Sequence, residues 1–361
     1  MKIIHVISSI SPGGAEVFLR DLAIQQAKSG NEVLIYAIYP SNNLEFEKEF
    51  IDKVLQNNIN VIKFNKKRNS EKLKTFMDVR NMVRKHRPDV INTHIERLAC
   101  TFAIATFGLK CKIITTIHSV VIADKDMKIL NKFINLNLIN SCITICNQSE
   151  EMVRTYGISK VSTIENGIDV EKFSLNRHIN LDVKNIVCIG RLEEVKNQKM
   201  LVEAYKIVHK QLSDKSIEVP KLNIYGDGSL KKELLDKIYE ENLEKCIELK
   251  GHCNNIVDVL KNSDIYVMPS IYEGLSISLI EALVTKIPMI VTDVGGNSNI
   301  VVDDFNGILI KNKDTKNLAE ALLKLILNYE DRVRMSFNSE KFINKFDIKN
   351  TSQKYLRYYK E

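Results

Sequence analysis

The stretch SIYEGLSISLIEAL, residues 270–283, contains two glutamates eight positions apart. Glu273 follows the apolar run DIYVMPS, which is typical of a buried strand, whereas Glu281 lies in an apolar run with helical spacing. The pattern predicts a helix that begins near Ser276, whose hydroxyl is expected to cap it. A helix N-terminus favours a phosphate, and Gly274 lets the backbone approach one closely. Glu281 is then placed to accept hydrogen bonds from two hydroxyls, as a ribose offers.

Arg191 and Lys196 form a second group of candidate binding residues, in the stretch CIGRLEEVKNQ. Arg191 directly follows a strand-like run, and Lys196 lies five positions later at the expected entry to a helix. Arginine binds phosphate through paired hydrogen bonds and lysine acts as a point charge, so the two are suited to clamp a diphosphate. Two solvated surface charges are the alternative, and the position of Arg191 at a strand end favours binding.

Gly13 and Gly14 lie in SISPGGAE, the loop after the first strand-like run. Two glycines before a helix allow the backbone to come close to a phosphate. The spacing is not G-x-G-x-x-G, and the next strand ends in YAIYP, with no acidic residue for a ribose, so NAD binding is disfavoured. A plain turn is the alternative.

His94 and His118 close two other strand-like runs, INTH and TTIH. A single histidine at a strand end usually has a structural role. Two of them at strand ends of the same domain favour contact with a ligand.

The whole chain alternates strand-like and helical runs. KIIHVIS, VFLRDLAIQQAKSG and NEVLIYAIY predict a strand, a helix and a strand, so a βαβ unit opens the chain. A polar stretch near 172–185 interrupts this rhythm, which restarts at NIVCIGR. We therefore predict two α/β domains, residues 1–175 and 176–344, each with a mostly parallel sheet. Ligands of such sheets bind at the carboxyl ends of the strands, and we expect the two domains to face each other across a cleft.

Positive charge is concentrated in one segment. The chain has 52 Lys and Arg against 45 Asp and Glu, a net charge of +7, yet Lys63–Lys112 alone has 13 basic and 4 acidic residues, a net charge of +9. A solvated surface is one interpretation, and docking on an anionic membrane or an acidic substrate is the other. No motif typical of nucleic-acid binding accompanies the charge, so we expect no nucleic acid as partner.

The seven cysteines and the hydropathy pattern indicate where the protein works. The cysteines are irregularly spaced, without a C-x-x-C pair, and are expected to be reduced thiols of a cytoplasmic protein. No apolar run reaches the roughly 20 residues that a membrane-spanning helix needs. The apolar start MKIIHVISSI is followed closely by charged residues, so it predicts a buried strand and not a signal peptide.

Several motifs now identify a family. SPGGAE, TIHS, IENGIDVEKF, IGRLEEVKNQKMLVEAY, NIYGDGSLKKEL, the glutamate pair and PMIVTDVGG follow one another in this order. Over nearly its whole length the chain resembles the family 4 retaining glycosyltransferases, which have the GT-B fold of two Rossmann-like domains. The glutamate pair and the Arg/Lys pair are the most specific part of the resemblance.

The resemblance implies roles for the candidate residues. Glu273 would contact the donor sugar, Glu281 the ribose, and Arg191 with Lys196 the diphosphate. His118 would contact the transferred sugar and assist the transition state.

Further positions follow from the same resemblance. The backbone of Leu275, Ser276 and Ile277 would bind phosphate, and Gly274 would lie beside it. Gly251 would lie near the base, Gly13 and Gly14 would border the diphosphate, and Glu16, His94, Asn166 and Gly167 would be on the cleft or acceptor side. The last helix, about 345–361, would cross back onto the N-terminal domain. Asn299 stands where family members often have glutamate, and we give it no role.

The implied reaction transfers a sugar from a nucleoside-diphosphate sugar to a cell-envelope glycan or a polyprenyl-diphosphate-linked acceptor, with retention and with neither metal nor cofactor. The turn EGLSIS favours a UDP-sugar over a GDP-sugar. A non-catalytic partner subunit and a sugar-nucleotide epimerase on the same fold are the alternatives. We expect the protein to be cytoplasmic and peripheral on the membrane.

Overall fold

The computed structural model of the chain describes residues 1–66, 72–174, 177–253 and 255–361. These residues form two compact units, one of Met1–Ile168 with Phe346–Glu361 and one of Asp169–Lys345. The boundary lies before the expected break at 175/176, because the short helix at Val170–Phe173 belongs to the second unit.

The first unit is built on a seven-stranded parallel sheet with the order β3-β2-β1-β4-β5-β6-β7. Its strands are β1 (Lys2–Ile7), β2 (Glu32–Ala37), β3 (Asn60–Lys63), β4 (Val90–Thr93), β5 (Lys112–Ile117), β6 (Ser141–Thr144) and β7 (Val161–Thr163). The central strands are apolar and buried throughout, as expected for a parallel sheet covered on both faces. Because β1 pairs with β4 and β4 with β5, the ends of these three strands lie side by side.

Helices connect and cover the strands of the first unit. They are α1 (Gly14–Lys28), α2 (Leu44–Leu55), α3 (Lys72–His86), α4 (Glu96–Ala105), α5 (Asp124–Asn135), α6 (Asn147–Thr155) and, at the end of the chain, α14 (Ile348–Lys360). The last helix packs against α1, and α4 packs against both α3 and α5. The C-terminal helix therefore completes the face of the sheet that α1 covers.

The second unit repeats the plan with a six-stranded parallel sheet in the order β10-β9-β8-β11-β12-β13. Its strands are β8 (Asn185–Ile189), β9 (Lys221–Tyr225), β10 (Ile247–Gly251), β11 (Ile265–Met268), β12 (Met289–Thr292) and β13 (Gly307–Ile310). The strand order reverses between β8 and β11, so a switch point of the kind that binds ligands lies there.

Helices of the second unit complete its core. They are α7 (Val170–Phe173), α8 (Gln198–Asp214), α9 (Lys231–Glu240), α10 (Ile256–Lys261), α11 (Ile277–Val284), α12 (Thr315–Leu327) and α13 (Tyr329–Ile343). The amphipathic α8 and α12 pack together over the sheet. Each unit is thus a Rossmann-like α/β domain, which confirms the predicted fold class. In the described part of the chain no helix combines the length and apolarity needed to cross a membrane.

Candidate functional site

A buried ion pair lies at the carboxyl end of the second sheet. The ammonium group of Lys196, in the turn after β8, lies 2.6 Å from Oε1 of Glu273, in the turn after β11. Ser270 donates a second hydrogen bond of 2.6 Å to the same oxygen. The side chains of Lys196 and Glu273 are only 17% and 10% exposed, so their attraction is weakly screened. Two residues that the sequence analysis assigned to a diphosphate and a sugar are therefore in direct contact.

Hydrogen bonds to backbone carbonyls hold these two turns to each other and to the end of β12. Ile271 N–H donates to the carbonyl of Val195 over 2.8 Å, and Thr292 Oγ1 donates to the carbonyl of Ser270 over 2.6 Å. The turns after β8 and β11 and the last residue of β12 are thereby fixed to one another around the ion pair.

Gly295 brings the loop after β12 against the turn that contains Glu273. Gly295 has φ +60, and a Cβ at this position would overlap the carbonyl oxygen of Glu273. The next residue, Gly296, donates to the carbonyl of Gly274 over 2.7 Å. Glycine is required here by both the backbone conformation and the close approach.

The helix predicted to begin near Ser276 is α11, with Ser276 at its N-cap position. The expectation that the Ser276 hydroxyl caps the helix was wrong, because its Oγ lies 3.1 Å from Oγ of Ser278 instead. Ser278 in turn is 2.9 Å from the hydroxyl of the fully buried Tyr266. Burial raises the pKa of Tyr266 well above its usual value, so this hydroxyl stays protonated. The first turn of α11 is thus held by the contact of Ser278 with Tyr266, and the side chain of Ser276 makes no capping hydrogen bond.

The other predicted donor-binding residues lie around this turn. Leu275 and Ile277 flank the N-cap and are buried, and Glu281 is buried in the second turn of α11.

Arg191 and Gly251 lie at the ends of two other strands. Arg191 follows β8, its side chain is exposed, and its carbonyl accepts a hydrogen bond of 2.9 Å from the buried Gln198. Gly251 ends β10 with φ +71 and accepts from Gly226. All lie at the carboxyl edge of the second sheet.

The glycine loop of the first unit lies at the carboxyl end of β1. Gly13 is the N-cap of α1 and Gly14 is its first residue. The carboxylate of Glu16 folds back over the Cα of Gly13, where a Cβ would collide with it. Glu16 thus covers the N-terminus of α1.

Three histidines form a hydrogen-bonded row in the first unit, which we name the histidine row: His5 in β1, His94 after β4 and His118 after β5. His5 Nδ1 lies 3.0 Å from His94 Nε2, and His94 Nδ1 lies 2.9 Å from His118 Nε2. The inner end of the row contacts Gln26 of α1, whose Oε1 is 2.7 Å from His5 Nε2. Both ring nitrogens of His94 are therefore occupied by neighbouring rings, and His118 is at the outer end of the row.

Burial keeps the histidine row neutral. It lowers the pKa of His5 and of His118 to about 4. Burial also lowers the pKa of His94 well below its usual value, and repulsion from a charge on either neighbouring ring adds to the effect. At neutral pH each ring thus has one N–H donor and one lone-pair acceptor.

Asn166 and Gly167 lie where the chain meets the C-terminal helix. Asn166 is buried. A Cβ on Gly167 would come within 2.6 Å of Oγ1 of Thr351 and 2.9 Å of the backbone of Ile348. The structure therefore shows a packing role for Gly167 at the start of α14.

Among the described residues, no group of three or more His, Cys, Asp or Glu side chains is arranged to hold a metal ion. The triplet Asp124-Lys125-Asp126 has the spacing of a metal-binding D-x-D motif. Its carboxylates instead pair with Lys128 and Arg97, each at 2.7 Å.

Comparison with known proteins shows the family to which the chain belongs. Residues 12–172 match the family described as Glycosyltransferase Family 4, and residues 169–342 match Glycosyl transferases group 1. A UDP-Gal:alpha-D-GlcNAc-diphosphoundecaprenol alpha-1,3-galactosyltransferase of Escherichia coli is 30% identical over 303 residues, which are 76% of this chain and 76% of that protein. The chain belongs to the family 4, group 1 type glycosyltransferases, and it is a glycosyltransferase.

A second relative and a solved structure are also similar to the chain. An N-acetylgalactosamine-N,N'-diacetylbacillosaminyl-diphospho-undecaprenol 4-alpha-N-acetylgalactosaminyltransferase of Campylobacter jejuni is 32% identical over 217 residues, 57% of each chain. The crystal structure of HepE of Anabaena in complex with UDP matches with a TM-score of 0.84 and 19% identity, covering 99% of both chains. The second likeness confirms the predicted GT-B fold.

Sequence reasoning missed three residues that the structure adds to these groups: His5, Gln26 and Ser270. A signal existed for His5, because it interrupts the apolar run KIIHVIS in a strand expected to be buried on both faces. A buried polar side chain needs a partner, so a second polar group had to face it. Gln26 and Ser270 had no comparable signal, since each is an ordinary residue of its helix or turn.

Proposed function

We propose that the protein transfers a hexosyl or N-acetylhexosaminyl residue from a UDP-sugar to a glycan or polyprenyl-diphosphate-linked acceptor of the cell envelope, with retention of configuration. The observation that carries this proposal is the buried Lys196–Glu273 pair beside the N-terminus of α11. It combines a cation for a phosphate with a fixed carboxylate for a sugar hydroxyl. The relatives from Escherichia coli and Campylobacter jejuni, named for undecaprenol-linked acceptors, support the acceptor class.

In this proposal the second unit binds the donor. The N-terminus of α11 and the side chains of Arg191 and Lys196 bind the diphosphate, and Glu281 binds the ribose. When the bond to the sugar breaks, the departing diphosphate gains negative charge. The two cations and the helix dipole stabilise that charge, and we propose that no metal is needed.

Glu273 acts as a binding group and not as a nucleophile. Lys196 and Ser270 both donate to Oε1, so the carboxylate is held in place and Oε2 accepts from a hydroxyl of the sugar. A carboxylate neutralised by an ammonium group is a weak nucleophile. We therefore propose a front-face displacement in which the departing phosphate takes the proton of the acceptor hydroxyl. A covalent sugar trapped on Glu273 would contradict this step.

The direct test is a transfer assay with purified protein. UDP-glucose, UDP-galactose, their N-acetylated forms and the matching GDP-sugars are each incubated with a short polyprenyl-diphosphate sugar, with and without EDTA. We expect transfer from one UDP-sugar, unaffected by EDTA, and an α-linked product by NMR. Transfer only from a GDP-sugar would overturn the donor assignment. Conversion of the nucleotide-sugar without acceptor would favour an epimerase.

We also propose that the exposed part of the basic segment Lys63–Lys112 docks on an anionic membrane on the cytoplasmic side. Lys74 and Arg84 are exposed on α3, and Lys110 is exposed after α4. Apolar side chains near them are also exposed: Met77 of α3 by 52%, Ile104 of α4 by 49% and Phe107, just after α4, by 69%. Arg80 holds α3 to the end of α4 by donating to the carbonyls of Ala105 and Phe107 over 2.7 and 3.0 Å. Basic and apolar groups together match an anionic lipid surface.

Lys66, a member of the same segment, is unsuited to this role, because it is buried and paired with Asp78 at 2.5 Å. Lys67 and Arg68 lie outside the described residues.

Vesicle sedimentation tests the membrane proposal. We expect the Lys74→Ser, Arg84→Ser, Lys110→Ser triple variant to lose about 100-fold in affinity for vesicles containing phosphatidylglycerol, at about 1 kcal/mol per basic residue. The matched control replaces three exposed lysines of the second unit, Lys210, Lys232 and Lys313, with serine. Equal losses in both variants would show that only net charge matters and would overturn the docking surface.

A further inference from the structure

The geometry points to a positioning role for Gln26, His5 and His94. We propose that they fix His118 as the neutral tautomer with its proton on Nε2, so that Nδ1 of His118 accepts a hydrogen bond from a hydroxyl group of the bound substrate. This rests on the proposed function, in which His118 contacts the transferred sugar. The three positioning residues touch no substrate and act through His118.

The direction of the row follows from its inner end. Oε1 of Gln26 faces His5 Nε2 and, as a carbonyl oxygen, only accepts, so with this orientation of the amide the proton of the His5 ring is on Nε2. A neutral imidazole has one N–H, so His5 Nδ1 is an acceptor and takes a hydrogen bond from Nε2–H of His94. His94 Nδ1 then accepts from Nε2–H of His118. All three rings therefore have the proton on Nε2 and the lone pair on Nδ1. Nδ1 of His118, at the end of the row, is the acceptor that remains.

The outer end of the row has an unsatisfied polar atom. Nδ1 of His118 is buried and has no hydrogen-bond partner among the described residues. A buried acceptor without a partner costs about 1–3 kcal/mol, so such atoms in a native protein call for an explanation. A hydroxyl of a bound ligand supplies the missing donor. A carboxylate does not fit, because it only accepts hydrogen bonds and the row also offers an acceptor.

Packing holds the His118 ring in place. The ring lies beside His94 and nearly in the same plane, with centroids 5.2 Å apart and planes tilted by 18°, and the centroid of the Phe18 ring lies 5.8 Å away with its plane at 65°. Because these contacts fix the position of the ring, the histidine row determines only which of the two nitrogens of His118 has the proton.

The C-terminal helix closes the inner end of the row. Tyr359 of α14 is fully buried beside Gln26, and its hydroxyl accepts a hydrogen bond of 2.8 Å from Nδ2 of Asn92. Tyr355, one turn earlier, packs against both Tyr359 and Phe18. The Gln26 amide is thus enclosed by protein, away from water that would offer His5 a donor.

Nitrogen NMR of the protein, labelled with 15N in histidine, tests the proposal without needing any activity. Each of the seven histidines is assigned from its own single His→Gln variant. We expect His118 to show a protonated Nε2 and an unprotonated Nδ1 at neutral pH. Protonated Nδ1, or equal populations of the two tautomers, would overturn the proposal whether or not the protein transfers sugar.

A pair of variants tests the link between Gln26 and His118. Gln26→Leu removes the acceptor at the inner end, and we expect the nitrogen signals of His118 to shift towards a mixture of tautomers, although two rings separate the residues. In the transfer assay kcat should fall about 10- to 100-fold, by analogy with the loss of the group that orients a metal-binding histidine, with KM for the UDP-sugar unchanged. A change confined to His5 would show a merely local role for Gln26 and overturn the proposal.

Two controls keep the test decisive. Gln25→Leu makes the same change one position away on α1, and it should leave His118 and kcat as in the wild type. Gln26→Glu keeps an acceptor opposite His5 Nε2, so it should preserve the His118 tautomer even if the leucine variant fails to fold. Loss of the Nε2–H tautomer in Gln26→Glu would contradict the proposed direction. If neither the wild type nor any variant transfers sugar from a nucleotide-sugar, the proposed function is wrong. The tautomer measured for His118 is a separate result and is unaffected.

Discussion

The ion pair between Lys196 and Glu273 couples the stability of the second unit to its candidate site. Both charges are largely removed from water, and each is compensated chiefly by the other. Removal of one partner leaves an uncompensated buried charge. The pair is therefore expected to matter for folding as well as for binding.

Lys196→Met should lower the free energy of unfolding of the second unit by about 3–5 kcal/mol. Lys199→Met is the matched control, because Lys199 pairs with the more exposed Glu194 and Glu233 and should cost at most about 1 kcal/mol. Urea unfolding followed by far-ultraviolet circular dichroism measures both, since the chain has no tryptophan. In a double-mutant cycle with Glu273→Gln the combined loss should be smaller than the sum. Additive losses would contradict the coupling.

At the scale of elements, the site depends on loops that are held at fixed separations. Gly295 shows this most clearly, because its Cα lies against the carbonyl of Glu273. The loop after β12 thereby supports the turn before α11.

Gly295→Ala should destabilise the second unit and weaken nucleotide binding. The new Cβ would overlap the Glu273 carbonyl, so the turn with Glu273 must shift in addition to the strain of about 1–2 kcal/mol that φ +60 places on alanine. Gly108→Ala is the control for backbone strain without steric overlap, because Gly108 has φ +79 and nothing lies within 4 Å of its Cβ position. We expect a clearly larger fall in melting temperature for Gly295→Ala. Equal falls would contradict the close approach.

The histidine row makes the first unit sensitive to acid. The pKa of His5 and of His118 is about 4 in the folded unit and about 6.5 in an unfolded chain. Between these values the unfolded state binds more protons, so stability rises with pH. The contribution is fully present above about pH 6.5 and is lost as pH falls towards 4, at up to about 1.4 kcal/mol per pH unit for each histidine.

The slope of stability against pH between 6 and 5 is measurable by urea unfolding in a pH series. His5→Gln should lower the overall stability and also make this slope shallower, because one buried imidazole no longer takes up a proton on unfolding. An unchanged slope would contradict the account of the row.

At the scale of the whole molecule, much of the architecture was predictable. Strands such as KIIHVIS and DIYVMPS are short β-branched apolar runs, and their alternation with helical patterns indicates parallel sheets. The polar residues at strand ends were therefore correctly expected at the carboxyl edges of the sheets. Contacts such as Lys196–Glu273 and the histidine row were not predictable, because strand order brings together residues far apart in the chain. The Ser276 cap failed because a neighbouring serine competed for its hydroxyl.

The measurement that tests the central claim most directly is thermal unfolding of the full chain with UDP, GDP, ADP, CMP and NAD. UDP at about 100 times its Kd should stabilise by about 2.7 kcal/mol, which raises Tm by about 5–10 °C for a unit of this size. Glu281→Ala should abolish the shift relative to its own ligand-free Tm, whereas Glu244→Ala, at an exposed glutamate of the same unit, should keep it. No shift with any nucleotide, or an unchanged UDP shift in Glu281→Ala, would contradict the donor site proposed at α11.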